Sequence, residues 1–248
     1  MLEQIPFSNP WLIGAALNTF LFGIAWLLPK KLLTNLGYLN AWLLGVLIWG
    51  SLGWQGYTIV MFYFLVGSSV TRIGLAEKEA QGIAEKRSGM RGPENVWGSA
   101  LVGAICAITT LFTPSPWQGL LILAYVASFA TKLSDTTASE VGKAYGKRTF
   151  LITTLQPVAR GTEGAVSLEG TVAGILASVV IASVGWVIGL ITPLGLVLCT
   201  VAAFVATNLE SLIGATLQEK FTWLTNEVVN IINTSIGAVV VVLLALLF

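Results

Sequence analysis

The chain has 248 residues, 55% of them apolar and only 10% charged, with a formal net charge of +1 and a mean hydropathy of +0.83. Soluble domains carry roughly 25% charged residues, so the composition excludes an ordinary soluble globule. It also offers no basic stripe interleaved with aromatics, the footprint of a nucleic-acid binder.

A membrane span needs about 20 apolar residues. The segments that qualify, in chain order, are Trp11–Leu28, Leu36–Trp54, the short Gly56–Thr71, Val96–Phe112, Trp117–Leu133, Thr171–Ile191, Leu194–Thr216 and Val228–Phe248. Pro29, Pro114, Pro116 and Pro193 sit at span ends, where a missing N–H costs least. The first run is long and has no basic leader, so it reads as a span and not as a signal peptide.

All thirteen Lys and Arg residues fall in alternate gaps. Lys30 and Lys31 follow the first span. Arg72, Lys78, Lys86, Arg87 and Arg91 follow the third. Lys132, Lys143, Lys147, Arg148 and Arg160 follow the fifth, and Lys220 follows the seventh. Basic residues stay on the cytoplasmic side of a membrane. The chain therefore reads as one all-α integral membrane domain over residues 1–248, with eight spans and both termini on the non-cytoplasmic side. Of the twelve acidic residues, only Glu3 lies outside the basic gaps. The cytoplasmic stretches 72–95, 132–170 and 210–227 thus carry the ionic chemistry and form the expected active-site face.

The sequence has no His, which removes the commonest general base and metal ligand. Cys106 and Cys199 lie mid-span and read as small core residues. Asn95, Ser99, Gly103 and Ala107 recur every four positions, a spacing that lets helix backbones approach closely. Asn18, alone in the first span, reads as a structural polar group.

Three polar constellations remain. In SDTTASEVGK (134–143), a continuing helix puts Asp135, Ser139 and Lys143 on one face. Gly142 and Gly146 leave the backbone bare for a ligand. A carboxylate beside phosphates suits Mg²⁺, which takes one or two carboxylates plus phosphate oxygens. The competing reading is a helix end capped by Ser134 and Asp135, with Lys143 solvated. In the stretch 160–171, glycines flank Glu163 and Glu169. Gly161 and Gly164 could turn backbone N–H groups into an anion-binding nest, and the planar fork of Arg160 could clamp a phosphate. The spacing is not that of a Walker A loop, and a flexible loop with an N-cap is the alternative. In the last two spans, Thr207, Glu210, Ser211, Gly214 and Gln218 form one helical stripe. Asn226, Asn230, Asn233, Thr234 and Gly237 form another. Polar side chains within a membrane face the bundle interior or a wet cavity, either as interhelical hydrogen bonds or as a site at the mouth.

Five stretches then carry a resemblance: GPENV (92–96), SDTTASEVG (134–142), GTEGAVSLEGTVAG (161–174), ESLIGATLQ (210–218) and NEVVN (226–230). Together they resemble the integral-membrane phytyl-phosphate kinase family of plants and cyanobacteria. More distantly, they are similar to CTP-dependent dolichol and phytol kinases and to lipid cytidylyltransferases. The resemblance implies transfer of a phosphoryl group from a nucleoside triphosphate, with CTP the expected donor, to phytyl phosphate. The product, phytyl diphosphate, would feed tocopherol and phylloquinone synthesis. Residue roles follow from chemistry. Asp135 and Glu163 are the expected Mg²⁺ ligands, with Glu140 or Glu169 in reserve. Lys143 and Arg160 would neutralise phosphate charge. Asn95, Asn226 and Asn230 would orient phosphates or metal-bound water, and Ser139, Gly142, Gly161, Gly164 and Glu210 would complete the substrate and nucleotide site. The expected setting is a plasma or thylakoid membrane, with the lipid bilayer, an isoprenoid phosphate and a nucleotide as partners. The alternatives are a prenol kinase, a CDP-lipid cytidylyltransferase and, in another class, a transporter or lipid-binding protein. A transporter should show paired inverted repeats and broken helices at midplane; the sequence has no convincing internal symmetry, and its charges cluster at one face, not midway.

Overall fold

Helices begin where a capping side chain or a proline permits. In a computed structural model that describes residues 9–27, 29, 31–218 and 220–248, α1 spans Pro10–Leu27 and α2 spans Asn35–Val70. Glu3, Leu28, Lys30 and Glu219 lie outside the described residues. Thr34 starts α2 by accepting a hydrogen bond from the Gly37 N–H at 3.0 Å. A straight helix of 36 residues would run about 54 Å, nearly twice the roughly 30 Å of bilayer hydrocarbon. The helix is broken at Gly53, with φ 63° and ψ −155°, a conformation that glycine adopts without penalty.

The two ends of α2 meet again at Arg91. The Arg91 backbone pairs with Leu32 and Thr34, while its guanidinium donates to Tyr63 Oη at 2.7 Å. Arg72 also reaches the Lys31 carbonyl, at 3.4 Å. Hence α2 is a helical hairpin, and its two arms are the second and third expected spans.

A wedge of short elements follows: α3 (Leu75–Ala80), a tight turn at Lys86–Gly89, and α4 (Pro93–Thr109). Pro93 occupies the first turn of α4, and Asn95 Oδ1 accepts the Gly92 N–H at 3.0 Å. Next, α5 runs unbroken over Trp117–Tyr145. Leu123–Asp135 is buried without interruption, so α5 is the central shaft of the bundle, because a helix buried all round must lie inside. Two three-residue strands, β1 (Thr149–Leu151) and β2 (Ala165–Ser167), pair antiparallel. This small ribbon departs from the all-helical expectation. Ser167 then caps α6 (Leu168–Val187). Thr192 and Pro193 open α7 (Pro193–Ile213), which ends in a π-turn at Gly214–Gln218. Thr225 caps α8 (Asn226–Ala245).

The described residues include five helices long and apolar enough to cross a membrane: α1, α2, α6, α7 with its π-turn, and α8. The chain is an all-α polytopic membrane protein. Small residues set its packing, as their spacing predicts. A Cβ on Gly103 would sit 2.5 Å from the Phe129 ring, and one on Gly170 would sit 2.5 Å from the Ala138 carbonyl. Asn18 is fully buried, donates to the Gly14 carbonyl at 2.8 Å and accepts from Tyr57 Oη at 3.0 Å. That is the structural role expected of it. Both cysteines are free and buried.

Candidate active site

At the end of the bundle where the charged stretches gather, a cavity of about 490 Å³ opens among α2, the 85–91 turn, α4, α5, the 161–167 loop, α6, α7 and α8. Its residues come from all three long charged stretches, 72–95, 132–170 and 210–227. The helix of α5 does not stop at Ser134; it continues to Tyr145. Asp135, Ser139 and Lys143 therefore share a face, and all three line the cavity. The capping alternative for Ser134 and Asp135 falls with that continuation.

Lys132, a cavity-lining residue, is only 6% exposed. Its ammonium binds the Asp135 carboxylate and donates to Asn230 Oδ1 at 2.7 Å. Glu210 of α7 lies within electrostatic reach of Asp135, Lys132 and Glu163. Three helices and one loop thus bring Lys132, Asp135, Glu163, Glu210 and Asn230 to one floor. Apolar burial strengthens such charge pairing relative to water.

A second group stands at the wall. Arg87 pairs with Glu94 and donates to Asn95 Oδ1 at 2.8 Å. Arg91, clasped by Tyr63, lines the same side. Lys143 lies 3.6 Å from Glu140 and 3.7 Å from Glu85, so it is paired and not merely solvated.

The glycine-rich loop has a packing role beside the expected nest. Gly161 and Gly164 do take positive φ, 82° and 75°. However, the Thr162 and Ala165 N–H groups bond within the loop itself. The glycines serve close approach: a Cβ on Gly161 would lie 2.7 Å from Ile83 Cγ2, and one on Gly164 would lie 2.7 Å from the Ser211 carbonyl. The loop is therefore docked against the 72–91 segment on one side and α7 on the other. Gly142 similarly abuts Ser167, with 3.2 Å from its would-be Cβ to Oγ, so its bare backbone serves α5–α6 packing as well as the cavity.

Most residues expected at the site line this cavity: Asp135, Lys143, Glu163, Asn95, Ser139, Glu140, Gly142, Gly161, Gly164, Glu210, Asn226 and Asn230. Arg160 and Glu169 are not among the lining residues. The Arg160 guanidinium donates instead to the Ala144 carbonyl at 3.2 Å and lies 4.0 Å from Glu77. Glu169 sits in the first turn of α6. Glu140, although at the cavity edge, is held by Lys78 in an ion pair in which both side chains are almost fully buried, at 1% and 2% exposed. Residues without an assigned role in the sequence analysis are Lys132, Arg87, Arg91, Tyr63 and Lys78. Lys132 could have been flagged, because it lies at the very end of an apolar run with Asp135 three residues on. Nothing local marks the other four.

Asp135 and Glu163 suit a divalent ion bound mainly through phosphate oxygens. Among the described residues, no group of three or more acidic or thiol side chains forms a ready-made metal cage.

The family described as "Integral membrane protein DUF92" matches residues 18–238. An uncharacterized membrane protein of Synechocystis is 66% identical over 94% of this chain and 90% of its own length. "Protein VTE6, chloroplastic" of Arabidopsis thaliana is 46% identical over 96% of this chain and 72% of its own length. An uncharacterized membrane protein of Methanocaldococcus jannaschii is 32% identical over 87% of both chains. No solved structure matches the chain.

Proposed function

The chain belongs to the integral membrane protein DUF92 family, and from that membership together with the cavity we propose that it is a lipid-phosphate kinase. It transfers the γ-phosphoryl group of a nucleoside triphosphate, CTP by the resemblance of its motifs, to phytyl phosphate. An oxygen of the acceptor phosphate forms a bond to the γ-phosphorus, the bond from that phosphorus to the β,γ-bridging oxygen breaks, and the nucleoside diphosphate leaves. Supporting the reading is the floor of Lys132, Asp135 and Asn230, buried in a cavity walled by membrane helices. Phosphoryl transfer asks chiefly for positioning and charge neutralisation. A phosphate monoester has its second pKa near 6, so most of the acceptor is already dianionic at neutral pH and needs no general base. This agrees with a chain that has no His.

In this reading, Lys132, Lys143, Arg87 and Arg91 attract and hold the phosphates, and Asn95, Asn226 and Asn230 orient them. Asp135 and Glu163 would hold Mg²⁺, which when bound neutralises charge on the nucleotide phosphates. We further place eight crossings in the membrane, counting the two arms of α2 separately, with both termini outside and the cavity facing the cytoplasm, as the basic residues favour. The chloroplastic relative is compatible with a photosynthetic membrane, and the resemblance of the motifs implies a product that feeds tocopherol and phylloquinone synthesis.

The test is product analysis with the purified protein, Mg²⁺, γ-labelled CTP and phytyl phosphate, with phytol and a polyprenol alongside. Labelled phytyl diphosphate and CDP are expected. Label on a free alcohol would make it a prenol kinase, and release of pyrophosphate a cytidylyltransferase. No transfer from CTP, UTP or ATP by folded protein would overturn the kinase reading.

A further inference from the structure

A lipid acceptor must bring a polar head to Lys132 while its tail stays out of water. The cavity wall between α6 and α7 permits this. Ile175 of α6 and Phe204 of α7 line the cavity, yet Phe204, 43% exposed, continues the exposed apolar stripe of Val197 and Val201 along α7. Beside it, Val172 (47%), Leu176 (59%) and Val201 (42%) present apolar surface outward, on helices apolar enough to face lipid. A side chain that lines the cavity and also belongs to the exposed stripe of its helix marks a thin place in the wall.

The packing explains the thinness. Near the cavity α6 is drawn onto α5: a Cβ on Gly174 would lie 2.9 Å from the Ser134 carbonyl, and one on Gly170 would lie 3.3 Å from Gly142 Cα. The α6–α7 connection, residues 188–192, lies at the opposite end. Above the thin wall, Gly164 seats on Ser211 and closes the rim. Within the wall, Asn208 also lines the cavity. A polar residue at membrane depth is costly unless it meets a polar cavity or ligand. At 1.5 Å per residue, Ile175 and Phe204 lie about 10–14 Å from the cavity-side ends of their helices, well inside two helices apolar enough to cross a membrane.

Resting on the lipid-phosphate reading, we propose that the acceptor enters sideways from the bilayer through a window between α6 and α7. Its phosphate passes Asn208 to reach Lys132 and Asn230, while its isoprenoid tail remains in lipid along Ile175 and Phe204. A second cavity, an apolar one among α1, α2 and α4, adjoins the site through Tyr63, Arg91 and Ser99 but measures only about 50 Å³. One water alone occupies about 30 Å³ of liquid, so a prenyl chain does not fit there.

The experiment uses the full chain in lipid nanodiscs. Ile175→Trp should plug the window, and Phe204→Ala should widen it. Acceptors are phytyl phosphate, which partitions into the bilayer, and dimethylallyl phosphate, which reaches the cavity from water. Ile175→Trp should lower the ratio of kcat/KM for phytyl over dimethylallyl phosphate roughly tenfold or more, and Phe204→Ala should not. In parallel, a farnesyl monophosphate with a diazirine in its tail should photolabel peptides of α6 and α7. Labels on α1, α2 or α4, or an equal loss with both acceptors, would overturn the window. Wild-type protein that phosphorylates neither acceptor but is labelled on α6 and α7 would sink the kinase reading and leave the window standing.

Discussion

Lys78→Met is the sharpest test of how the 72–91 segment is held over the site. Lys78 is 1% exposed and Glu140 is 2% exposed, and they form an ion pair 62 residues apart in the chain. The same ammonium donates to the Thr71 carbonyl at 2.9 Å. Removing one partner of a buried pair costs about 3–5 kcal/mol, because the remaining charge stays buried. Loss of the Thr71 bond adds about 1 kcal/mol. Lys143, 3.6 Å from the other Glu140 oxygen, offsets part of this, and a net loss of about 3 kcal/mol follows. The loss falls on docking of α3 against α5. At about 1.4 kcal/mol per factor of ten, amide hydrogen exchange in residues 75–83 should therefore speed up roughly 10²-fold. Exchange in the buried stretch of α5 should change far less. The double variant Lys78→Met, Glu140→Leu should recover most of the protection, since a buried pair replaced by apolar side chains is often neutral. Because the segment carries Arg87 and Arg91 to the cavity wall, the single variant should also raise KM for the phosphate substrates. Unchanged exchange in residues 75–83 would refute the reasoning.

Asp135→Asn should lower kcat by roughly 10²–10³, the scale seen when one electrostatic group of a preorganised site is lost, with normal membrane insertion; near wild-type turnover would remove Asp135 from the chemistry. Arg160→Ala should change KM for nucleotide and acceptor less than about threefold, because its guanidinium is turned to Ala144 and Glu77 outside the cavity lining; a loss on the scale of a charge-assisted hydrogen bond, about 2 kcal/mol, would return it to the phosphate site. Gly53→Ala should cost about 1–3 kcal/mol through the strained backbone it imposes, read as a lower melting temperature in detergent; an unchanged melting temperature would mean that the α2 break does not need glycine.

Hydropathy and charge placement carried much of the architecture. Runs of about twenty apolar residues can satisfy their backbone only as helices in lipid, and the Gly53–Gly56 break split one 36-residue helix into two arms as the spacing implied. The periodicity of 134–143 likewise put Asp135, Ser139 and Lys143 on one face once α5 continued through them. These are local properties: each depends on residues within a few turns of one another.

What sequence could not supply was which faces meet. Lys132 finds Asn230 across 98 residues, Lys78 finds Glu140 across 62, and Arg91 ties the two ends of α2 together through its backbone and Tyr63. The glycines of the 161–164 loop looked like an anion nest because positive φ was all that composition could signal. Packing against Ile83 and Ser211 gave them a second use that composition could not signal. Arg160 looked like a phosphate clamp because only its charge was visible, and a carbonyl at the end of α5 took its guanidinium. The sequence by itself determined the helices, their membrane setting and the gathering of charge at one end, because those follow from transfer free energy and local periodicity. The cavity, its Lys132 floor and the thin wall at Phe204 were decided by tertiary structure alone, because they arise where small residues on distant helices let backbones close in, and hydropathy carries no record of such pairings.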